Sequence, residues 1–254
     1  GTGFLDELGG PSAYGYNINI PLPPGTGEEG FLYVLDNVVL PILDEYKPDI
    51  IINSAGQDNH YTDPLTNMNF TAQGYAKLND KLNPDIAVLE GGYSIEGALP
   101  YVNLGIILAM AGIDYSHVRE PDYDREKLKQ PADITEYIKK LSDMVYKGWQ
   151  NRESLRGDII KGKDSIQRTR QIYYDTDGIL ENQTQNFKIC KKCSGINTID
   201  SQSDTGYHIF AITIPIDACS DCLDLGYKVY KNTSKSDYTN IYLQDRVNDV
   251  YHSK

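Results

Sequence analysis

The chain has 254 residues, 40% of them hydrophobic, and 24 basic against 36 acidic side chains give it a net charge of −12. This length allows one large domain or a domain with an appendage, and the apolar fraction is sufficient for a hydrophobic core. The acidic balance argues against a general nucleic-acid binder, because phosphate contacts need clustered Lys and Arg. It would mildly attract a cationic substrate. No apolar run approaches the ~18 residues of a membrane span and no signal peptide is recognisable, so we expect a cytoplasmic protein without a membrane partner.

The sequence opens on Gly1-Thr2-Gly3-Phe4, without an initiator Met and without turn or cap chemistry. We interpret this start as the middle of a loop. The chain is therefore expected to be a fragment, a processed product or a truncated gene model.

The first predicted elements are a strand and a long helix. Residues 16–20 alternate in polarity and predict a strand that ends at a cluster of prolines. Thr26 and Glu29 form a capping-box pattern that would start a helix running to about Tyr46. Pro41 lies inside this run and is expected to kink it.

Further along, strands and helices alternate. The apolar runs at 49–52 and 85–89 predict buried strands, and helical periodicity predicts helices at 71–82 and 96–110, with Pro100 in the first turn of the second. This alternation indicates βαβ units and a mainly parallel, doubly wound sheet. Because ligands bind outside the carboxyl ends of parallel strands, the loops that follow these strands are candidate sites.

The second half of the chain changes character. A charged, proline-containing connector leads to an amphipathic helix from Asp133 to Trp149, and the charged stretch 152–174 is also read as helical. From about Asn186 the sequence consists of short β runs with turn residues. We therefore divide the chain into an α/β segment (1–114), a helical connector (115–185) and a small β-rich domain (186–254).

Two Cys-x2-Cys pairs lie in the last segment, at Cys190/Cys193 and Cys219/Cys222, with 25 residues between them. Two knuckles of this kind can present four thiolates to one tetrahedral zinc ion, and the span between them contains a predicted strand at 207–214. The pattern predicts a structural zinc ribbon. Two disulfides, which would require an oxidising compartment, and unligated thiols are the alternatives.

Two loops carry candidate catalytic groups. Asp58 follows the first buried strand, and Tyr93 follows Gly91 and Gly92 after the second. A carboxylate can hold a metal, and a tyrosine on a Gly-Gly hinge can donate a hydrogen bond to a developing oxyanion. His60 is assigned a loop or surface role.

These motifs resemble the histone deacetylase family of metal-dependent amidohydrolases, in its bacterial and archaeal class II-like and acetylpolyamine amidohydrolase branch. The resemblance covers about residues 1–111 and rests on motifs in the same order and spacing, at residues 1–3, 15–27, 54–58, 63–65 and 89–93. It implies an arginase/deacetylase-like sheet that is only partial in this chain.

The resemblance also implies roles for individual residues. Asp58 matches one of three ligands of a catalytic zinc, and Tyr93 matches the tyrosine that stabilises the oxyanion. Gly91, Gly92 and Gln57 would line the substrate channel, although many relatives have Phe at the position of Gln57. The other ligands of the family, including an Asp-x-His pair, and its tandem His-His acid/base pair lie upstream of the loop on which this chain opens.

The sequence thus predicts part of a zinc-dependent deacetylase acting on acetyl-lysine or an acetylpolyamine, which this segment alone would not catalyse. Two alternatives stay open. The chain could be an inactive interaction module whose ribbon binds a protein or a nucleic acid, with a protein the favoured partner, or a subunit completed by another chain. The acyl amine, the oligomeric state and the role of residues 112–185 are not indicated by any motif.

Overall fold

The computed structural model describes residues 3–254, which form two compact units. The first unit is Ile20–Trp149, and the second consists of Gln150–Lys254 with the described part of Gly1–Asn19. Gly1 and Thr2 of the predicted family motif lie outside the described residues. The three-segment division 1–114, 115–185 and 186–254 stays a prediction.

The first unit begins with two α-helices, α1 (Glu28–Val34) and α2 (Leu40–Tyr46), that are joined by a π-helical turn over Leu35–Val39. Pro41 has no N–H to donate and its ring crowds the carbonyl four residues earlier, so the wider turn in front of it accommodates the ring. The π-helical turn lies directly before Pro41, and the kink expected at this proline stays a prediction.

The capping box predicted at the start of this helix is not formed. Gly27 is the N-cap residue and no side chain caps it from within the motif, because the Thr26 hydroxyl donates instead to the Pro23 carbonyl at 2.7 Å. The Gln130 side-chain oxygen accepts the N–H groups of Gly27 and Gly30 at 3.0 and 3.1 Å. A distant side chain thus satisfies the free N–H groups of the helix start.

A parallel βαβ arrangement follows. Strands β1 (Ile52–Ala55) and β2 (Ile86–Leu89) pair in parallel, and between them lies α3 (Ala72–Leu82), whose Thr71 cap accepts the Gly74 N–H at 3.0 Å. Helix α4 (Leu99–Met110) follows β2 with Pro100 in its first turn, as predicted. The apolar core of the unit lies between these elements and includes Phe70, Tyr75, Val102 and Ile106.

The two-stranded sheet is covered on one face only. Asn53 and Ala87, which face α3 and α4, are partly buried, whereas Ile52, Ile86 and Val88 point to the other side and are exposed. Helix α4 is apolar on all sides, and its exposed residues include Leu104, Ile107 and Met110. Beyond it, α5 (Ala132–Gln150) is the predicted amphipathic helix.

The strand predicted at 16–20 is wrong, because this segment has no regular structure. Polar alternation alone does not make a strand without a neighbour to pair with. Here the Asn17 and Asn19 side-chain amides donate to the backbone carbonyls of Glu7 and Phe4 instead. Such local bonds compete with a β ladder.

The second unit is a mixed sheet with a helix. After α6 (Arg152–Ile160), six strands follow in the sheet order β3-β4-β5-β6-β7-β8. They are β3 (Ser165–Tyr174), β4 (Ile179–Lys188), β5 (Asn197–Ser203), β6 (His208–Ile214), β7 (Asn240–Asp245) and β8 (Val250–Ser253). Helix α7 (Ser220–Asn232) connects β6 to β7, the parallel pair of the sheet.

The stretch 152–174 is therefore half helix and half strand, not a continuous helix. Its second half alternates exposed and partly buried residues, which suits a strand paired with β4. The predicted α/β class, with a parallel sheet, a helical segment and a C-terminal β region that carries the cysteines, is confirmed. Within residues 3–254, no helix has the length and apolar character that a membrane crossing requires.

Candidate active site

The Asp58 and Tyr93 loops lie side by side at the carboxyl ends of β1 and β2. The backbone N–H of Gln57 donates to the Gly91 carbonyl at 2.5 Å. A Cβ placed on Gly91 would lie only 2.7 Å from Asp58 Oδ2. The structure therefore brings the two predicted loops together, at the sheet edge where parallel α/β proteins bind ligands.

Gly92 is a position at which only glycine fits. Its φ is +153°, and a Cβ there would lie 2.9 Å from Gln57 Cβ. The backbone can thus turn tightly against the neighbouring loop.

Gln57 faces the interior. It is 1% exposed, and its Nε2 donates to the Asn103 side chain on α4, while its Oε1 has no hydrogen-bond partner among the described residues. Its predicted role in a substrate channel stays a prediction. What the structure shows is a polar side chain between the Gly92 backbone and α4.

Tyr93 has an anchored backbone and a free side chain. Its N–H donates to Asp63 Oδ2 at 2.8 Å, and the other oxygen of Asp63 accepts the Leu65 N–H at 2.9 Å. The ring is 53% exposed, and within residues 3–254 its hydroxyl has no hydrogen-bond partner. The phenol is therefore available to donate to a ligand.

His60 is a residue that the sequence misplaced. It does lie in a loop, but it is 0% exposed, and its Nε2 is 2.7 Å from Oε1 of Glu120, which is 2% exposed. Burial acts to raise the pKa of Glu120, but hydrogen bonds from His60 and from the Ala72 N–H bring that pKa below its usual value. No local signal links the two residues, which are 60 positions apart.

His60 also bears on metal binding, because Asp58-Asn59-His60 has the Asp-x-His spacing of the family ligand pair. Both ring nitrogens of His60 are engaged, with Glu120 on one side and Thr62 on the other. Among the described residues, the only group of three or more His, Cys, Asp or Glu that could hold a metal is the four cysteines. Within residues 3–254, no such group forms around Asp58, and its role as a zinc ligand stays a prediction.

The four cysteines converge in the second unit. Cys190 and Cys193 follow β4, while Cys219 caps α7 and Cys222 lies in its first turn. The four Sγ atoms lie within 4.8 Å of one another, with 3.8 Å between Cys190 and Cys219 and 3.6 Å between Cys193 and Cys219. These separations are too long for a disulfide and match the ~3.8 Å between sulfurs that surround one zinc at about 2.3 Å.

The backbone around the first knuckle favours thiolates. The N–H groups of Lys192 and Gly195 donate to the Sγ atoms of Cys190 and Cys193, each at 3.4 Å. The Lys192 N–H is the main reason why the pKa of Cys190 is lowered to about 6. Burial raises the pKa of Cys193 and Cys222, so these two thiols need a cation to become thiolates.

The first part of the chain matches a known family. Residues 1–103 match the model described as the histone deacetylase domain. Over these residues the chain is similar to the histone deacetylase family. This confirms the resemblance seen in the loop motifs.

Two curated relatives extend the match beyond that segment. A probable deacetylase of Archaeoglobus fulgidus is 42% identical over 182 residues, which is 68% of this chain and 45% of that protein. The acetoin utilization protein AcuC of Bacillus subtilis is 31% identical over 190 residues, 67% of this chain and 48% of that protein. The chain thus spans less than half the length of these relatives.

One solved structure that resembles part of this chain is the HD domain of HDA15. It matches with a TM-score of 0.49 and 23% identity, over 64% of this chain and 44% of that chain.

Proposed function

We propose that this chain contributes Asp58 and Tyr93 to the active site of a zinc-dependent deacetylase that hydrolyses acetyl-lysine or an acetylpolyamine. The observation that carries the proposal is the contact between the two loops, in which the Asp58 carboxylate lies against Gly91 and the unpartnered Tyr93 hydroxyl follows two residues later. The family match over residues 1–103 supports the same assignment.

The residues of this chain have distinct tasks in such a site. Asp58 supplies one carboxylate ligand, and the remaining ligands and the acid/base histidines come from polypeptide outside this sequence. The Tyr93 phenol donates a hydrogen bond to the amide carbonyl oxygen as it becomes an oxyanion, a contribution of the order of 10²–10³ in rate. The net charge of −12 favours the approach of a cationic polyamine or a lysine-rich peptide.

The test is hydrolysis of an acetyl-lysine peptide and of an N-acetylated polyamine by the native protein that carries this chain. Tyr93→Phe should lower kcat about 10²–10³-fold with little change in KM, because the lost hydrogen bond forms mainly in the transition state. Tyr137→Phe is the matched control, since Tyr137 is 49% exposed against 53% for Tyr93. A Tyr93→Phe protein with full activity would show that the assignment is wrong.

One observation favours a site whose missing ligands come from residues outside this sequence, either in the same protein or in a partner subunit. The described residues bring no second and third ligand to Asp58. We therefore expect the 254 residues alone to be inactive and activity to return when a polypeptide with the missing ligands is supplied. If no such polypeptide restores hydrolysis, an inactive interaction module that binds a protein partner is the better description. The cytoplasmic location stays a prediction.

We further propose that Cys190, Cys193, Cys219 and Cys222 hold a structural zinc ion. The sulfur separations fit a tetrahedral site, and four protein ligands leave no open position for substrate. The lowered pKa of Cys190 favours its thiolate, which is the form that binds zinc.

Elemental analysis of the purified protein should find one zinc per cysteine cluster, retained under mild chelation. Cys222→Ser should lose that zinc and destabilise the second unit, since Cys222 is buried in its core. Ser194→Ala is the control beside the cluster, because its hydroxyl donates to Asp217 and not to sulfur. A folded, metal-free second unit with four titratable thiols would contradict the proposal.

A further inference from the structure

We propose that Glu120 is a positioning residue for Tyr93, acting through His60, Thr62 and Ser94. The inference rests on the proposed function of Tyr93. It adds a residue that lies beyond the matched segment 1–103 and that no family motif in this chain contains.

Glu120 anchors one end of this hydrogen-bonded chain. Its Oε1 accepts from His60 at 2.7 Å and from the Ala72 N–H at 2.6 Å, at the start of α3. A buried carboxylate is costly unless it is hydrogen-bonded, and Oε2 has no partner among the described residues, so the two bonds to Oε1 hold this carboxylate. The His60 ring is thereby fixed to a helix of the core.

The donors around His60 define how the ring is held. The Thr62 N–H donates to Nδ1 at 3.2 Å, so Nδ1 is an acceptor and the ring proton on Nε2 donates to Glu120. The Thr62 hydroxyl oxygen lies 2.9 Å from the same Nδ1. His60 therefore links Glu120 to the backbone and the side chain of Thr62 at once.

Thr62 passes this constraint to the Tyr93 loop. Its Oγ1 is 2.6 Å from Oγ of Ser94, the residue after Tyr93. The Ser94 carbonyl accepts the N–H groups of Ala98 and Leu99 at 3.0 and 3.2 Å, which leads into α4. The neighbouring Asp63 accepts a hydrogen bond from the Tyr93 N–H. Thr62 and Asp63, which follow His60, therefore bind Ser94 and Tyr93 respectively.

A glycine at the far end makes room for this contact. A Cβ on Gly97 would lie 2.8 Å from Ser94 Oγ and 2.9 Å from Thr62 Oγ1. The two hydroxyls are thus packed against the turn that precedes α4. If the two hydroxyls were removed, the Tyr93 N–H bond to Asp63 would remain, but the hydrogen bond that fixes the next residue, Ser94, would be lost.

Hydrogen exchange of the intact protein tests the positioning directly. Thr62→Val keeps the shape of the side chain and removes the hydroxyl, so the amides of Tyr93, Ala98 and Leu99 should exchange about three- to tenfold faster, the equivalent of one hydrogen bond. Thr135→Val is the control, since its hydroxyl contacts Gln130 and Pro131 instead. Unchanged exchange at Tyr93 in Thr62→Val would overturn the inference.

Glu120 itself is tested with an isosteric pair. Glu120→Gln retains an oxygen that accepts from His60 and should preserve slow exchange at Tyr93, whereas Glu120→Met retains the length without an acceptor and should accelerate it. Equal exchange in the two variants, both folded, would contradict the role of Glu120. If Glu120→Met does not fold, Thr62→Val decides.

Activity of the native protein separates this inference from the proposed function. Thr62→Val should lower kcat with KM unchanged, because a mobile Tyr93 donates poorly in the transition state. Faster exchange together with a fully active Tyr93→Phe protein would mean that the loop is positioned as described but that the catalytic role of Tyr93 is wrong. Faster exchange with unchanged kcat, while Tyr93→Phe is impaired, would overturn the positioning role alone.

Discussion

The Asp58 carboxylate lies where a side chain at position 91 would otherwise be, so glycine is needed there. A Cβ there would approach Oδ2 to 2.7 Å, closer than real Cβ contacts. Gly56 lies on the other side of the same carboxylate, but its Cβ would stay 3.3 Å from Oδ1. The two glycines therefore differ in how much a methyl group would displace Asp58.

This difference gives a graded prediction. If Asp58 has the proposed role, Gly91→Ala should lower kcat/KM of the native protein at least about tenfold, since small displacements of a catalytic group carry large rate costs. Gly56→Ala should have a smaller effect. Neither glycine has a positive φ, so thermal unfolding should change little in either variant. Equal kcat/KM values for the two variants would contradict the placement of the carboxylate.

At the level of secondary structure, two helical glycines behave differently. Gly105 of α4 packs against α3, where its Cβ would lie 3.1 Å from the Ala72 carbonyl oxygen and 3.3 Å from Ala76 Cβ. Gly148 of α5 is exposed, with nothing within 4 Å of its Cβ position. One glycine is needed for close helix packing, and the other only weakens its helix.

Substitutions at these two glycines should change stability in opposite directions. Gly148→Ala should stabilise the protein by about 0.5–1 kcal/mol through helix propensity. Gly105→Leu should destabilise it by about 1–3 kcal/mol, because the added atoms overpack the interface between α3 and α4. Urea unfolding midpoints measure both effects. An unchanged midpoint for Gly105→Leu would show that this interface is looser than described.

The elements that sequence predicted well are those that depend on local pattern. The positions of strands β1 and β2 and of helices α3 and α4 follow from apolar periodicity and caps, and the loops after the two strands follow from parallel topology. The predicted burial of the two strands is wrong, because their outer faces are uncovered. The strand at 16–20 failed because alternation does not provide a pairing partner. Glu120 and Gln130 could not be predicted, since each bonds a residue 60 or more positions away. The catalytic roles of Asp58 and Tyr93 stay predictions.

On the scale of the whole molecule, the first unit presents an apolar surface. Ile52, Ile86 and Val88 on the outer face of the sheet are exposed, as are residues on α4. Parallel sheets are normally covered on both faces, and exposed strand edges favour association. The net charge of −12 opposes that association by repulsion between copies.

Glu120 and Gln130 also show that the segment matched by the family model is shorter than the unit that must fold together. The model match ends at residue 103, yet the side chains that hold His60 and the first turn of α1 lie after it. A gene cut at residue 103 would leave a buried imidazole without its carboxylate and two helix N–H groups without their acceptor. Recombination that preserves the matched segment therefore need not preserve a foldable protein.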